Sequence, residues 1–185
     1  MSPVAKYTTA LVVEVAFSIS LQALLSADRV IIHKGVRTME LIRAGQTLKT
    51  YKIALGSEPV GPKTRQGDHR TPQGIYVIDS RNAHSQFHRS LHISYPNAVD
   101  RERARKLGVA TGGDIFIHGL PNGYGFIGAA HRARDWTDGC IAVTDQEIEE
   151  IWKLVANGTP SRFGRSPTPS AGTISRCFGL GPALG

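Results

Sequence analysis

Cys140 and His118 are the residues of this 185-residue chain whose types and order suit covalent chemistry. A thiolate is a strong nucleophile, and its population depends on a nearby base or positive field. His118 closes the apolar run Ile115-Phe116-Ile117, and Cys140 precedes another, Ile141-Ala142-Val143. In a sheet such strand ends become neighbours, and the imidazole then serves as general base and later as general acid. Gly119 has no side chain, so its carbonyl is free to orient the imidazole. Gly139 allows a tight turn that aims the amides near Asp138, Gly139 and Cys140 at an oxyanion. This set describes acyl transfer through a thioester. His131 is a rival base, nearer to the cysteine in sequence. Arg132 and Arg134 are candidates for bidentate binding of a substrate carboxylate, and Trp136 is either a ligand platform or a packing residue. The plainer alternative is a buried cysteine packing as a small hydrophobe.

Composition narrows the field. Twenty-two Lys and Arg against fifteen Asp and Glu leave a net charge of +7, which favours acidic partners such as anionic lipid or a polyanionic wall polymer. No basic run reaches five residues and no nucleic-acid motif is present, so nucleic acid is not an expected partner. Two cysteines, Cys140 and Cys177, do not make a disulfide framework. Neither Cys-x-x-Cys nor His-Glu-x-x-His occurs. His84 and His88 would share a face only on a helix, and with His92 they make a weak case for a metal.

The elements that must position the pair read mainly as β-structure within one domain. Short apolar runs at Val30–Ile32, Met39–Ile42, Tyr51–Leu55, Ile75–Ile78 and Leu91–Tyr95 are separated by glycine turns, as in a sandwich or barrel. Gly56–Gly74 is dense in Gly and Pro and reads as a long ordered loop holding Asp68-His69-Arg70-Thr71-Pro72. Two short helices are expected. One runs from Asp100, as cap, to Leu107 before Gly108. The other follows Thr144, with Glu147 completing a capping box. Residues 1–27 read as a signal peptide or N-terminal anchor, imperfect because Glu14 interrupts the apolar run. Residues 161–185 are rich in Gly, Pro and Ser and read as a disordered tail, leaving 28–160 as the domain.

Ile117-His118-Gly119, a glycine-containing loop and Thr137-Asp138-Gly139-Cys140-Ile141 together resemble the L,D-transpeptidases with a YkuD-like catalytic domain. The likeness extends to Arg70-Thr71-Pro72-Gln73-Gly74 before a strand. The resemblance implies a mainly β fold, a β-sandwich of mixed sheets with one or two short helices. It implies that Cys140 attacks a peptidoglycan tetrapeptide stem at its third-position diamino acid and that D-alanine leaves. Another stem, or a lysine of a murein-linked lipoprotein, then resolves the thioester. His118 would be the base, Gly119 the orienting carbonyl, and Gly139 with Cys140 the oxyanion site. Arg70, His131, Arg132, Arg134, Trp136 and Asp138 are the candidate substrate contacts. No metal or organic cofactor is implied, and the expected setting is a monomer in the periplasm or cell envelope.

Three departures stand out, one being that Ser161-Arg162-Phe163 is a poor substitute for the apolar strand with which such domains end, so that a sandwich without that edge strand is expected. Ala142 occupies a position where many members carry Arg or Asn, and Asp138 one where His, Lys or Ser is common. An anion beside a thiol raises its pKa unless it points away or is paired. Two other readings stay open: an L,D-carboxypeptidase or murein amide hydrolase using the same pair, and a non-catalytic peptidoglycan-binding module.

Overall fold

The computed structural model describes residues 26–164. Its strands are β1 (Arg29–His33), β2 (Thr38–Arg43), β3 (Gln46–Lys52), β4 (Gly74–Ser85), β5 (His88–Ile93), β6 (Ile115–His118), β7 (Ile141–Ala142) and β8 (Pro160–Gly164). The two α-helices are α1 (Ala98–Leu107) and α2 (Asp145–Leu154). The strands form one mixed sheet in the order β3-β2-β1-β8-β4-β5-β6-β7, with β1–β8 and β6–β7 parallel.

β4 explains how a single sheet makes two layers. Its first residues, Gly74–Val77, pair with β8, and from Ile78 onward it pairs with β5. One twelve-residue strand thus belongs to both halves, and the sheet curls at it. The edges then meet. Ala54, just past β3, and Ala142 exchange both backbone hydrogen bonds, at 3.0 and 2.9 Å. Inward residues such as Ile32, Leu41, Ile78, Leu91, Ile93, Ile117 and Ile141 are fully buried in a continuous core. α2 closes it with Ile148 and Ile151, three residues apart on one face. Each such side chain contributes about 1.5–3 kcal/mol on leaving water.

The second helix starts as its sequence dictates: Thr144 Oγ1 accepts from the Glu147 amide at 3.2 Å, and Glu147 Oε2 accepts from the Thr144 amide at 2.8 Å. The first does not. Its cap is Asn97, three residues before the expected Asp100; Asn97 Oδ1 accepts from the Val99 and Asp100 amides. Asp100 is the reciprocal member of that box, accepting from the Asn97 amide, and it also accepts from the buried Tyr76 hydroxyl. Its charge had marked it as a cap, but its burial serves the core.

One conditional reading is resolved and one expectation is corrected. His84 and His88 lie on the β4–β5 hairpin, not on a helix, and so share no helical face. The tail was expected to lose structure at 161, yet β8 is an internal strand between β1 and β4. Ser161 and Phe163 point inward at 1% and 2% exposure, while Arg162 is exposed. A small inward serine and flanking Pro and Gly concealed the alternation. The remaining tail, 165–185, and most of the N-terminal segment, 1–25, lie outside the described residues. Ala27 belongs to the folded body: it is buried, and its amide donates to the Leu154 carbonyl at 2.8 Å.

Candidate active site

β6 and β7 run side by side with Ile117 opposite Ile141 and His118 opposite Ala142. Strand alternation sends Ile115, Ile117 and Ile141 into the core and leaves Phe116, His118 and Cys140 on the other face. Cys140 sits level with Phe116, whose amide donates to its Sγ at 3.4 Å. His118 and Cys140 therefore open into one cleft of about 660 Å3, together with Phe87, Ser90, Phe116 and Trp136.

His118 Nδ1 donates to the Gly119 carbonyl at 2.7 Å. That bond fixes the tautomer and leaves Nε2 as the basic nitrogen. The Phe87 ring, 4.5 Å away between centroids, and the edge-on Trp136, at 6.0 Å, bury the imidazole. Burial lowers its pKa to about 4 against the opposing Gly119 bond, with His131 lowering it further. Burial also raises the Cys140 thiol; the Phe116 amide and Lys63 oppose this, while Asp138 and Asp114 add to it. Both shifts disfavour a preformed thiolate–imidazolium pair.

The turn before Cys140 is tightly built. Thr137 Oγ1 donates to the Cys140 carbonyl at 2.8 Å and accepts from the Gly139 amide at 3.1 Å. The Gly139 amide is thus engaged by Thr137 in this structure. The Cys140 amide has no partner among the described residues. Gly139 is instead required by geometry: its φ is +128°, and a Cβ there would lie 2.6 Å from the Arg70 carbonyl oxygen. Asp138 points outward, 90% exposed, and pairs with His69 at 2.7 Å.

The loop behind this turn is held by two buried lysines, Lys63 and Lys34, that sequence reasoning passed over. Lys63 and Asp68 form an ion pair at 2.8 Å, their side chains only 4% and 6% exposed. Lys63 lines a second cleft of about 320 Å3 that also reaches Cys140. Lys34, likewise buried, donates to the Gly61 carbonyl at 2.7 Å and to that of Thr71, tying the loop's two ends together. Burial, helped by Arg70 and Arg37 and opposed by Asp68, lowers Lys34 to about 8. Loop-closing lysines like these carry no local motif. Only the run of breakers that makes the loop was a signal.

The other candidates disperse. Trp136 is a wall of the cleft. His131 and Arg134 lie beyond it in a separate groove, where Trp136 Nε1 donates to His131 Nδ1 at 3.3 Å. The rival base is therefore displaced from the cysteine's cleft. Arg132 is engaged by Glu147 at 3.0 Å and by the Lys52 carbonyl at 2.8 Å, so its expected substrate role is not supported. Arg70 lines a hollow with Glu58 and Asp68 that excludes Cys140; only its backbone touches the turn. Ala142, fully buried, spends its amide and carbonyl on Ala54. Among the described residues no cluster of three or more His, Cys, Asp or Glu is placed to hold a metal. His88 and His92 pair with different carboxylates, Glu149 and Asp79.

Comparison with known proteins follows this geometry. The profile of the L,D-transpeptidase catalytic domain, YkuD, matches residues 27–162. YafK of Escherichia coli (strain K12), provisionally named an L,D-transpeptidase, is 33% identical over 141 residues, covering 70% of this chain and 49% of YafK. The structure of Pgp2, a helical cell shape determining protein from Campylobacter jejuni, superposes with a TM-score of 0.57 at 23% identity, covering 74% of this chain and 47% of that one. Bd1075 of Bdellovibrio bacteriovorus gives 0.54 at 20% identity, covering 76% and 48%. At these identities the two structures share a fold. The chain spans about half the length of the relatives it matches.

Proposed function

The chain belongs to the L,D-transpeptidase catalytic-domain family, and from that membership we propose that it is a cysteine acyltransferase acting on peptidoglycan stem peptides in the periplasm or cell envelope. The observation that carries the reading is the shared face of His118 and Cys140 in one cleft, with the Gly119 carbonyl holding the imidazole so that Nε2 is basic.

The steps follow from these groups. Substrate entry displaces water, and the Cys140 proton passes to His118 Nε2 as sulfur attacks the diamino acid carbonyl. The oxyanion meets the Cys140 amide; the Gly139 amide stays with Thr137. Collapse breaks the amide bond, and His118 returns the proton to the departing D-alanine nitrogen, leaving a thioester. An acceptor amine then attacks the thioester and gives its proton to His118. The new amide forms, and the proton returns to sulfur.

Both shifts support this order. With the thiol raised and the imidazole lowered, a preformed ion pair is disfavoured, so proton transfer accompanies attack. Incubation with defined muropeptides, followed by mass spectrometry of the products, tests the reading. Transfer yields a new cross-link and free D-alanine. Cleaved stems without cross-links mean that water is the acceptor. Unchanged muropeptides contradict an enzymatic role.

A further inference from the structure

Cys140 is shared by two clefts. It lines the larger one with His118 and the smaller one, of about 320 Å3, with Lys63. His118 does not line the smaller cleft, and Lys63 does not line the larger. The imidazole and the ammonium thus approach the sulfur from different sides. The Lys63–Asp68 pair is turned with its positive end to the thiol. Asp68 lines the hollow on the far side of the loop, which neither Lys63 nor Cys140 reaches. Two opposite charges 2.8 Å apart in a protein interior act as a dipole, and the nearer end dominates at the sulfur.

The ammonium is fixed in place. Its side chain is 4% exposed, and Nζ donates to Asp68 at 2.8 Å and to the Arg65 carbonyl at 3.3 Å. Gly112, at a φ of +95°, makes room for the aliphatic stem: a Cβ there would lie 3.3 Å from Lys63 Cε and 3.2 Å from Gln66 Cα. The Gln66 amide donates to the Ala110 carbonyl at 2.8 Å and ties the two loops together. Stability alone is a weak account of the pair. Apolar side chains of similar volume often replace a buried ion pair without loss, and Lys34 already ties the ends of the loop. Burial works against a thiolate at Cys140, and so do Asp138 and Asp114; the Phe116 amide and Lys63 favour one. Of the histidines at the two clefts besides His118, His69 is paired with Asp138, and His84 lines the larger cleft.

We propose that Lys63 is a positioning residue for acyl transfer: aimed by Asp68, its ammonium stabilises the negative charge that gathers on Cys140 Sγ as the proton leaves for His118. The same charge returns when the acceptor amine expels sulfur from the thioester, before His118 gives the proton back. This role rests on the acyl-transfer reading, whereas the placement of the cation is measurable on the thiol alone.

The test follows alkylation of Cys140 by iodoacetamide across pH, in the full chain carrying Cys177→Ser so that one thiol is read. The thiolate displaces iodide to form a thioether, so the rate reports the thiolate population. Lys63→Arg keeps a permanent cation. Lys63→Met/Asp68→Asn removes both charges and leaves no unpaired buried ion. Relative to Lys63→Arg, this double variant is expected to titrate at higher pH and to react about tenfold more slowly at neutral pH. Lys63→Arg/Asp68→Asn strips the cation of its counter-charge and is expected to titrate lower and to react about threefold faster. A merely structural brace predicts otherwise: loosening the loop wets the thiol and moves both double variants downward together. Opposite movements support the proposal. Movement in one direction, or superimposable profiles, overturns it. If the third protein does not fold, the comparison of Lys63→Arg with Lys63→Met/Asp68→Asn decides alone, because losing the cation and wetting the thiol move the midpoint in opposite directions. Muropeptide turnover by the same proteins keeps the two readings apart. Profiles that move as expected without any turnover sink acyl transfer and keep the placement of Lys63. Turnover with unmoved profiles does the reverse.

Discussion

Lys63 Nζ lies 2.8 Å from Asp68 Oδ1, and both side chains are almost entirely withdrawn from water. The pair braces the loop whose His69 and Arg70 carbonyls press against Gly56 and Gly139. Asp68 also accepts from the Thr64, Arg65 and Arg70 amides. The turn before Cys140 is thus supported from behind by a satisfied ionic network.

Breaking that pair should be costly. Lys63→Met leaves an uncompensated buried carboxylate and is expected to lower stability by about 3–5 kcal/mol in denaturant titration. Burial tends to raise the Asp68 carboxyl, but Lys63 and the three amides outweigh it and hold it at about 2. A depressed folded pKa stabilises above the unfolded value, and the contribution is lost as pH falls from about 4 towards 2. Asp68→Asn should flatten that acid limb; an unaltered acid limb would mean the carboxyl is not held low.

In the proposed mechanism His118 acts as a base only while neutral. With its pKa lowered to about 4 by burial, the acidic limb of kcat/KM should lie near pH 4 and not near the ordinary histidine value. His118→Gln should reduce turnover by about 10²–10⁴-fold while iodoacetamide still reaches Cys140. An acidic limb near pH 6.5 would show that the ring is more open to water than this packing allows.

Gly139→Ala tests the turn. The new Cβ meets the Arg70 carbonyl at 2.6 Å, at a φ of +128°. A loss of about 1–3 kcal/mol is expected, with slower alkylation of Cys140. Wild-type melting and reactivity together would show that the loop yields freely.

How much of this was legible in the chain differs by residue. The nearness of His118 and Cys140 was readable because one closes an apolar run and the other precedes the next, and strand ends are where a sheet presents side chains. Thr144 with Glu147 was readable because a capping box is local. Asn97 was not, because two adjacent polar residues compete for one cap and only burial of Asp100 decides between them. β8 was hidden because an inward Ser161 looks polar. Arg132 and Arg134 look alike in sequence; only the fold shows that Glu147 holds one and that Trp136 separates the other from the cysteine. Long-range partners of this kind leave no trace in local spacing.

The central claim is that Cys140 carries the acyl group. Intact-protein mass spectrometry after brief exposure to a tetrapeptide stem reads it directly. The account predicts an adduct equal to the stem less its terminal D-alanine, located on Cys140 by peptide mapping, released by hydroxylamine and absent in Cys140→Ala. Product formation by Cys140→Ala, or an adduct on any other residue, would contradict it.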